Sequence, residues 1–225
     1  MAAMNPARFD PPPDPRPDDV TWPGMRWPPP PDVVLTGGTV RVRPADPARD
    51  AAALFAALDD DRVWTHVRGR PADPDGWTST LIARARAGWL TWVVELQRAV
   101  GGCSPGTVIG TSSYLEVAPE DARLEIGATC YTPQVWASTV NPETKLLLLG
   151  YAFEELGAGR VQLKTDIRNR RSAQAIARLG AHFEGSLRRY QRRADDTVRD
   201  TVVFSILAEE WPDVRAGLAS RLGRD

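Results

Sequence analysis

The fold of this 225-residue chain is decided by residues 169–181, which read NRRSAQAIARLGA. Asn169 is a strong helix N-cap, and Gly180 follows the last apolar residue of a helical pattern. We predict a strand at 160–166 before this helix and another strand at 183–192 after it. The stretch therefore predicts a helix between two strands.

A second helix lies upstream of this unit. Asn141-Pro142-Glu143 is typical of a helix start, with Asn141 as N-cap, and the apolar run at 146–156 continues the helix to Gly157. A strand at 123–131 precedes it, so the strands at 123–131 and 160–166 are joined by a helical crossover. Such a crossover predicts a parallel strand pair, and ligands of such sheets lie beyond the carboxyl ends of the parallel strands.

The remaining elements predict antiparallel pairs around this crossover. Asp46-Pro47 and Asp73-Pro74 each indicate a helix start after the first strand at 39–43. The predicted order is β-α-α-β-β-β-α-β-α-β-β, with its other strands at 89–96, 107–117 and 197–207. A last amphipathic helix at 211–222 follows this order. The glycine-rich turn at 101–106 is not interpreted as a phosphate loop, because a strand rather than a helix follows it.

Composition excludes several classes of protein. The chain is 42% hydrophobic and 25% charged, with a net charge of −1, so no global field favours a nucleic acid or membrane partner. Two cysteines form no disulfide framework, and two histidines give no metal-ligand signature, so no metal site is expected. Without a bilayer-length apolar run or a signal-peptide core, we expect a soluble cytoplasmic protein.

Proline is concentrated at the N-terminus, where 11 of the 20 prolines precede residue 33. This predicts a Pro-rich extension at 1–32 and a single domain at 33–225. The extension is either a plain tail or a ligand for a proline-reading partner. Phe9, Trp22, Met25 and Trp27 are large apolar groups for a free tail, so part of it is expected to lie on the domain.

The chain resembles the GNAT superfamily of N-acetyltransferases, most closely its RimJ/RimL-like branch. The resemblance rests on residues 169–181, supported by LEIG at 124–127, the segment 136–145, EGSLR at 184–188 and RDTVV at 199–203. It implies an α/β (α+β) fold: a mixed sheet of about seven strands, splayed in the middle and flanked by helices on both faces. It also implies acetyl-CoA as co-substrate, direct acetyl transfer in a ternary complex to a protein N-terminal α-amine or a small-molecule amine, and a possible homodimer.

The resemblance also implies where acetyl-CoA binds. Its pyrophosphate is expected on the loop and helix start that contain Ala137, Ser138, Thr139, Val140 and Asn141, its thioester near Thr129, Cys130 and Tyr131, and its pantetheine arm near Asn169 and Ser172. Relatives have glycines in place of Ala137 and Thr139. Alanine costs little here if its torsions stay negative, and the Ser138 and Thr139 hydroxyls are substitute donors; weaker or altered CoA binding is the alternative. The alternatives are a plain helix entrance without a ligand and a simple N-cap role for Asn169.

Candidate catalytic residues follow from the chemistry of acetyl transfer. Glu125 is the candidate general base, since a carboxylate beside a cleft is partly desolvated and its pKa is raised. The alternative is a structural Glu125 paired with Arg123 or Arg160. Ile176 stands where many relatives have a proton-donating Tyr, so Ser172, another hydroxyl or water is expected to protonate the leaving thiolate.

Three further features leave alternatives open. Trp64 and Trp77 either line the acceptor pocket beside acidic Asp59–Asp61 or belong to the core, with the acidic residues in a solvated turn. Residues 160–200 hold eleven Lys or Arg against five Asp or Glu, which suits CoA phosphates, an RNA face or merely solvated surfaces. The rival function is a catalytically degenerate GNAT-fold regulator that binds CoA or a partner.

Overall fold

The computed structural model describes Pro13, Thr21, Trp22 and residues 24–223. One eight-stranded sheet runs through this part of the chain, in the order β1-β2-β3-β4-β5-β6-β8-β7. Its strands are β1 (Leu35–Thr36), β2 (Val40–Pro44), β3 (Leu90–Leu96), β4 (Val108–Ala118), β5 (Arg123–Tyr131), β6 (Arg160–Asp166), β7 (His182–Arg192) and β8 (Val198–Leu207). The predicted mixed, splayed sheet is confirmed, and the short β1 makes eight strands instead of about seven.

Six α-helices connect or flank the strands. They are α1 (Pro47–Leu58), α2 (Asp61–Trp64), α3 (Pro74–Arg86), α4 (Val140–Gly150), α5 (Arg170–Ala177) and α6 (Trp211–Arg221). A π-helical turn at Tyr151–Glu155 extends α4, so this element covers the predicted apolar helix. The short α2 was not predicted, because four residues are too few to display a helical period.

Side-chain caps explain where three helices begin. The Asp46 carboxylate accepts hydrogen bonds from the N–H groups of Ala48 and Arg49, and the Asp73 carboxylate accepts one from Gly76. Asn169 caps α5 in the same way. These three starts are as predicted, because Asp and Asn side chains satisfy N–H groups that the first helical turn leaves without partners.

The start of α4 differs from the prediction. The helix begins at Val140 with Thr139 in the cap position, so Asn141 is inside the helix and is not its N-cap. The reason is the Ser138 hydroxyl, whose oxygen accepts a hydrogen bond from the Val140 N–H at 3.2 Å and so starts the helix earlier. The Ser138 hydroxyl itself donates to the Val135 carbonyl at 2.6 Å.

The sheet opens between its two parallel strands. β5 and β6 pair only at Arg123↔Arg160, Leu124↔Val161 and Glu125↔Gln162. Beyond Glu125, β5 stays paired with β4, while β6 stays paired with β8 along all seven of its residues. A bulge at Ala128, where φ is +47°, bends β5 further. The two strands therefore diverge towards their carboxyl ends and leave a gap.

Alternate residues of the strands supply two cores on opposite faces of the sheet. One core contains residues of α1 and α3 together with Val93 and Cys130. The larger core contains residues of α4, α5 and α6 together with Trp92, Ile126 and Tyr131. Helices therefore cover both faces of the sheet, as predicted.

Part of the N-terminal segment lies on this domain. Met25 is buried in the larger core, its N–H donates to the Pro119 carbonyl at 3.0 Å, and the Arg26 N–H donates to the Leu156 carbonyl at 2.8 Å. Trp27 contacts Tyr114, with ring centroids 6.4 Å apart. Phe9, Pro11 and Pro12 lie outside the described residues. In the described part of the chain, no helix has the length and apolarity that crossing a membrane requires.

Candidate functional site

A cavity of about 410 Å³ opens beside the gap between β5 and β6. Nine of the eleven predicted site residues line it: Glu125, Thr129, Cys130, Tyr131, Ala137, Ser138, Asn141, Asn169 and Ser172. The other two do not. Val140 is fully buried in the core, and the Thr139 hydroxyl faces away from the cavity towards the Thr39 hydroxyl, at 3.4 Å.

The loop before α4 has the backbone conformation that glycine usually provides. Ala137 has φ = +57°, so the condition under which alanine replaces glycine at little cost, a negative torsion, is not met. The Ser138 and Thr139 hydroxyls hold the loop and its neighbours, so they are not the free donors expected from the sequence. Within residues 24–223, the N–H groups of Ala137, Thr139 and Asn141 have no hydrogen-bond acceptor. N–H groups at the electropositive end of a helix form an anion site.

Two arginines flank the aromatic ring that begins this loop. The Arg171 guanidinium carbon lies 3.6 Å from the centroid of the Trp136 ring, and that of Arg62 lies 6.0 Å from it. All three residues line the cavity. The loop therefore places positive side chains beside free N–H groups, which suits a phosphorylated ligand.

Glu125 is buried within a small charged network. Its carboxylate lies 2.8 Å from the Lys164 ammonium group, which also contacts Glu116 at 2.8 Å, and the Gln162 amide donates to it at 3.3 Å. The expected partners Arg123 and Arg160 pair instead with Asp121 and Glu184.

Desolvation dominates the electrostatics of Glu125. Burial raises the pKa of its carboxyl group, although Lys164 acts in the opposite direction. Glycine at 127 leaves the space that this carboxylate fills, because a Cβ there would lie 2.7 Å from Oε1 of Glu125. Glu125 is therefore a desolvated carboxylate at the wall of the cavity, as a general base requires.

Lys145 is a site residue that sequence reasoning missed. It extends from α4 into the cavity wall, where its ammonium group donates to the hydroxyls of Thr129 at 2.8 Å and Ser112 at 3.3 Å. Within residues 24–223, no carboxylate lies within 4 Å of it. Burial therefore lowers the pKa of Lys145 to about 7, a range in which an amine exchanges protons at neutral pH.

A signal for Lys145 existed in the composition. The chain has only two lysines among 28 basic residues, Lys145 and Lys164, and both line this cavity. Lys is almost never fully buried without a partner, so the sequence alone does not place either lysine in a buried cavity wall.

The bulged end of β5 supplies polar groups without a nucleophile. Burial raises the pKa of the Cys130 thiol to about 11 and also raises the pKa of the Tyr131 hydroxyl, so both stay protonated near neutral pH. A thiol that is not ionised is a poor acyl carrier. Thr129 accepts the Lys145 bond described above.

The start of α5 closes another wall of the cavity. The Asn169 side-chain oxygen accepts a hydrogen bond from the Ser172 N–H at 3.1 Å, which is the N-cap role. Asn169, Ser172 and Ile176 all line the cavity, so capping does not exclude contact with a ligand.

The side of the cavity near α1 and α3 is cationic rather than acidic. Trp64 and Trp77 are buried core residues and do not line the cavity, which corrects one of the two interpretations above. The acidic turn is solvated, with Asp60 paired to Arg62 and with Asp59 and Asp61 paired to Arg70. The cavity wall contains instead Arg62, His66, Arg68, Arg84 and Trp89.

The described residues contain no candidate metal-binding cluster. Among Pro13, Thr21, Trp22 and residues 24–223, no three His, Cys, Asp or Glu side chains are grouped so that they could hold a metal ion.

Comparison with known proteins gives one consistent family. The family model "Acetyltransferase (GNAT) domain" matches residues 39–182. The uncharacterized N-acetyltransferase p20 of Bacillus licheniformis is 30% identical over 104 residues, which are 46% of this chain and 57% of p20. The chain thus matches little more than half of the length of this curated relative.

Solved structures match more of the chain. A probable acetyltransferase of the GNAT family from Chromobacterium violaceum is 30% identical, with a TM-score of 0.80 over 90% of this chain and 100% of that one. Mycobacterium smegmatis RimJ, solved in complex with CoA-disulfide, is 25% identical, with a TM-score of 0.70 over 89% of this chain and 98% of that one.

Proposed function

The chain belongs to the GNAT family of acetyltransferases, and on this premise we propose that it transfers an acetyl group from acetyl-CoA to a primary amine inside the cavity between β5 and β6. The observation that carries the proposal is the combination of an open gap between parallel strands, a loop of free N–H groups at its end and a buried carboxylate in its wall. Likeness to RimJ supports the RimJ/RimL-like branch of the family.

The binding groups suit acetyl-CoA from end to end. The N–H groups of Ala137, Thr139 and Asn141 hold the pyrophosphate, and Arg62 and Arg171 add positive charge beside it. Asn169 and Ser172 contact the pantetheine arm along α5. The narrow part of the gap, near Thr129, receives the thioester. Acetyl-CoA, when bound, supplies an activated acyl group and a thiolate leaving group.

Two residues of the chain move protons during transfer. Glu125 accepts a proton from the incoming ammonium group, directly or through water, and so frees the amine for attack. Lys145, half-protonated near pH 7, donates a proton to the leaving sulfur. We assign this role to Lys145 in place of Ser172, the donor expected from the sequence, because burial brings the pKa of Lys145 to about 7. We propose direct transfer in a ternary complex, which a protonated Cys130 favours over transfer through an acyl-cysteine.

The acceptor is either a protein N-terminal α-amine or a small-molecule amine. A cytoplasmic location accords with acetyl-CoA as donor. A homodimer, and the absence of nucleic acid among the partners, remain proposals that size measurement and salt-dependent binding would test.

Release of free CoA thiol from acetyl-CoA tests the proposal. The full chain is incubated with acetyl-CoA and a panel of amines, and binding is followed in parallel by calorimetry. The proposal expects saturable one-site binding and amine-dependent thiol release. Binding without release for any amine would favour the degenerate regulator, and absence of both would refute the proposal.

A further inference from the structure

Arg84 is a cation in the cavity wall for which residues 24–223 supply no counter-ion. It lies on α3, and its guanidinium carbon is 5.8 Å from the ring centroid of Trp77 and 5.4 Å from that of Trp89. Its Nη1 atom is buried and has no hydrogen-bond partner among residues 24–223, and no carboxylate there forms an ion pair with it. Burial lowers the pKa of Arg84, which is the signature of a desolvated charge.

Such an arrangement is costly unless something compensates it. The guanidinium of the partly buried Arg84 keeps some cation–π attraction from the two indole rings, but its buried Nη1 group has no acceptor among residues 24–223. Two other arginines of the cavity wall have carboxylate partners, since Arg62 pairs with Asp60 and Arg193 pairs with Asp166. An anion that enters the cavity would give this guanidinium a charged partner.

The position of Arg84 separates it from the expected phosphate groups of acetyl-CoA. It extends from α3, whose core lies on the face of the sheet opposite α4. Its nearest aromatic neighbour in the cavity wall is Trp89, just before β3, and not Trp136 of the loop. This position favours an anion that belongs to the second substrate over a phosphate of acetyl-CoA.

We propose that Arg84 binds the carboxylate of the acceptor, so that the preferred acceptor is an amine that carries a carboxylate group. This deepens the acetyl transfer proposed above and rests on it. A guanidinium presents parallel N–H donors that match a carboxylate, and the pair forms where water is excluded. The carboxylate belongs either to a free amino acid or to an acidic residue of a peptide.

Thiol release with matched acceptors tests this inference. The panel pairs glycine, β-alanine and 4-aminobutyrate with their amides, and pairs short peptides that begin with Glu or Gln. Ethanolamine phosphate tests for a different anion. The unmodified chain is expected to prefer each acid over its amide by about 10- to 100-fold in kcat/KM, since one charge-assisted pair is at stake. The member with the highest value identifies amino acid or peptide as the source.

Variants of Arg84 give the decisive comparison. Arg84→Gln is expected to abolish the preference for the acid, and Arg84→Lys to retain part of it. The matched control is Arg86→Gln, on the same helix but exposed and outside the cavity wall, which keeps the preference. Tm is expected to stay the same or rise in Arg84→Gln, because an unpaired buried charge is removed.

Several results would overturn the inference while leaving acetyl transfer intact. These are equal rates for acids and amides, a preference that persists in Arg84→Gln, or faster reaction with ethanolamine phosphate than with any acid. If no amine releases thiol, calorimetric titration with N-acetyl-β-alanine and its amide separates the two claims. Binding of the acid that depends on Arg84 would keep the anion site and reject the transfer, and no such binding would reject both.

Discussion

Replacement of Lys145 by Met is expected to stabilise the protein at neutral and acidic pH. The Lys145 ammonium group is buried with two hydroxyls and no carboxylate, and burial lowers its pKa from 10.5 to about 7. The unfolded chain solvates this charge fully, whereas the folded chain does not. Met keeps the apolar volume of the side chain and removes the charge.

The magnitude follows from the pKa. A fall from 10.5 to about 7 corresponds to an upper limit of about 5 kcal/mol, since each pKa unit equals about 1.36 kcal/mol. Between these pH values the unfolded chain binds more protons than the folded chain, so the free energy of unfolding from Lys145 rises with pH, by at most about 1.4 kcal/mol per pH unit. Below pH 7 both states are protonated, and the full cost is present.

Urea unfolding of the unmodified protein and Lys145→Met at pH 6, 7, 8 and 9, without acetyl-CoA, measures this difference. The variant is expected to be more stable by a few kcal/mol at pH 6, with the gap closing as pH rises. NMR titration of the chain labelled at lysine gives the pKa directly, because Lys145 and Lys164 are the only two lysines.

Lys164 is the internal control for this titration. Glu116 and Glu125 raise the pKa of Lys164, so its ammonium group is expected to stay protonated at pH values far above the titration midpoint of Lys145. The reasoning would be refuted if Lys145 titrated near 10.5, or if Lys145→Met left the slope of stability against pH unchanged. A Lys145 that acts as proton donor also predicts lower thiol release in Lys145→Met, by about 10²- to 10³-fold.

Three further changes test other parts of the account. Glu125→Gln is expected to lower kcat by about 10²- to 10⁴-fold and to remove the fall in rate at low pH. Lys164→Met is expected to move that fall to higher pH, because Lys164 lowers the pKa of Glu125. A pH–rate profile that Glu125→Gln leaves unchanged would make Glu125 structural. Ala137→Gly is expected to keep the affinity for acetyl-CoA. Ala137→Val is expected to lower it, because a β-branched residue disfavours φ = +57°. Equal affinities of the two variants in calorimetry would contradict this. Glu143→Gln is expected to lower the free energy of unfolding in urea by about 2–4 kcal/mol. The buried Glu143 carboxylate accepts three backbone N–H bonds, from Gly38, Thr39 and Val40 where β2 begins, and exposed Glu120→Gln is expected to be neutral.

Local chemistry was predictable where a single side chain decides the structure. The Asp46 and Asp73 caps set their helix starts, and the alternating pattern around Glu125 placed it on a strand. The start of α4 was not predictable, because the choice between Asn141 and Thr139 depends on how the Ser138 hydroxyl is oriented by the Val135 carbonyl.

The missed site residues depend on tertiary packing. Lys145 precedes four leucines, and the sequence does not show that its side chain reaches Thr129 on β5. Arg84 follows Trp77 by seven residues, two helical turns, and its side chain points back along α3, so the pair meets only once the helix is docked. Ala137 adopts a positive φ, which the presence of an alanine in the sequence does not predict.

A crystal structure of the complex with acetyl-CoA tests the central claim most directly. We predict density for the pantetheine arm between β5 and β6, with the pyrophosphate on the N–H groups of Ala137, Thr139 and Asn141 and the thioester near Lys145. Acetyl-CoA bound elsewhere on the molecule, or β5 and β6 paired along their whole length with the cavity filled by side chains, would contradict the account.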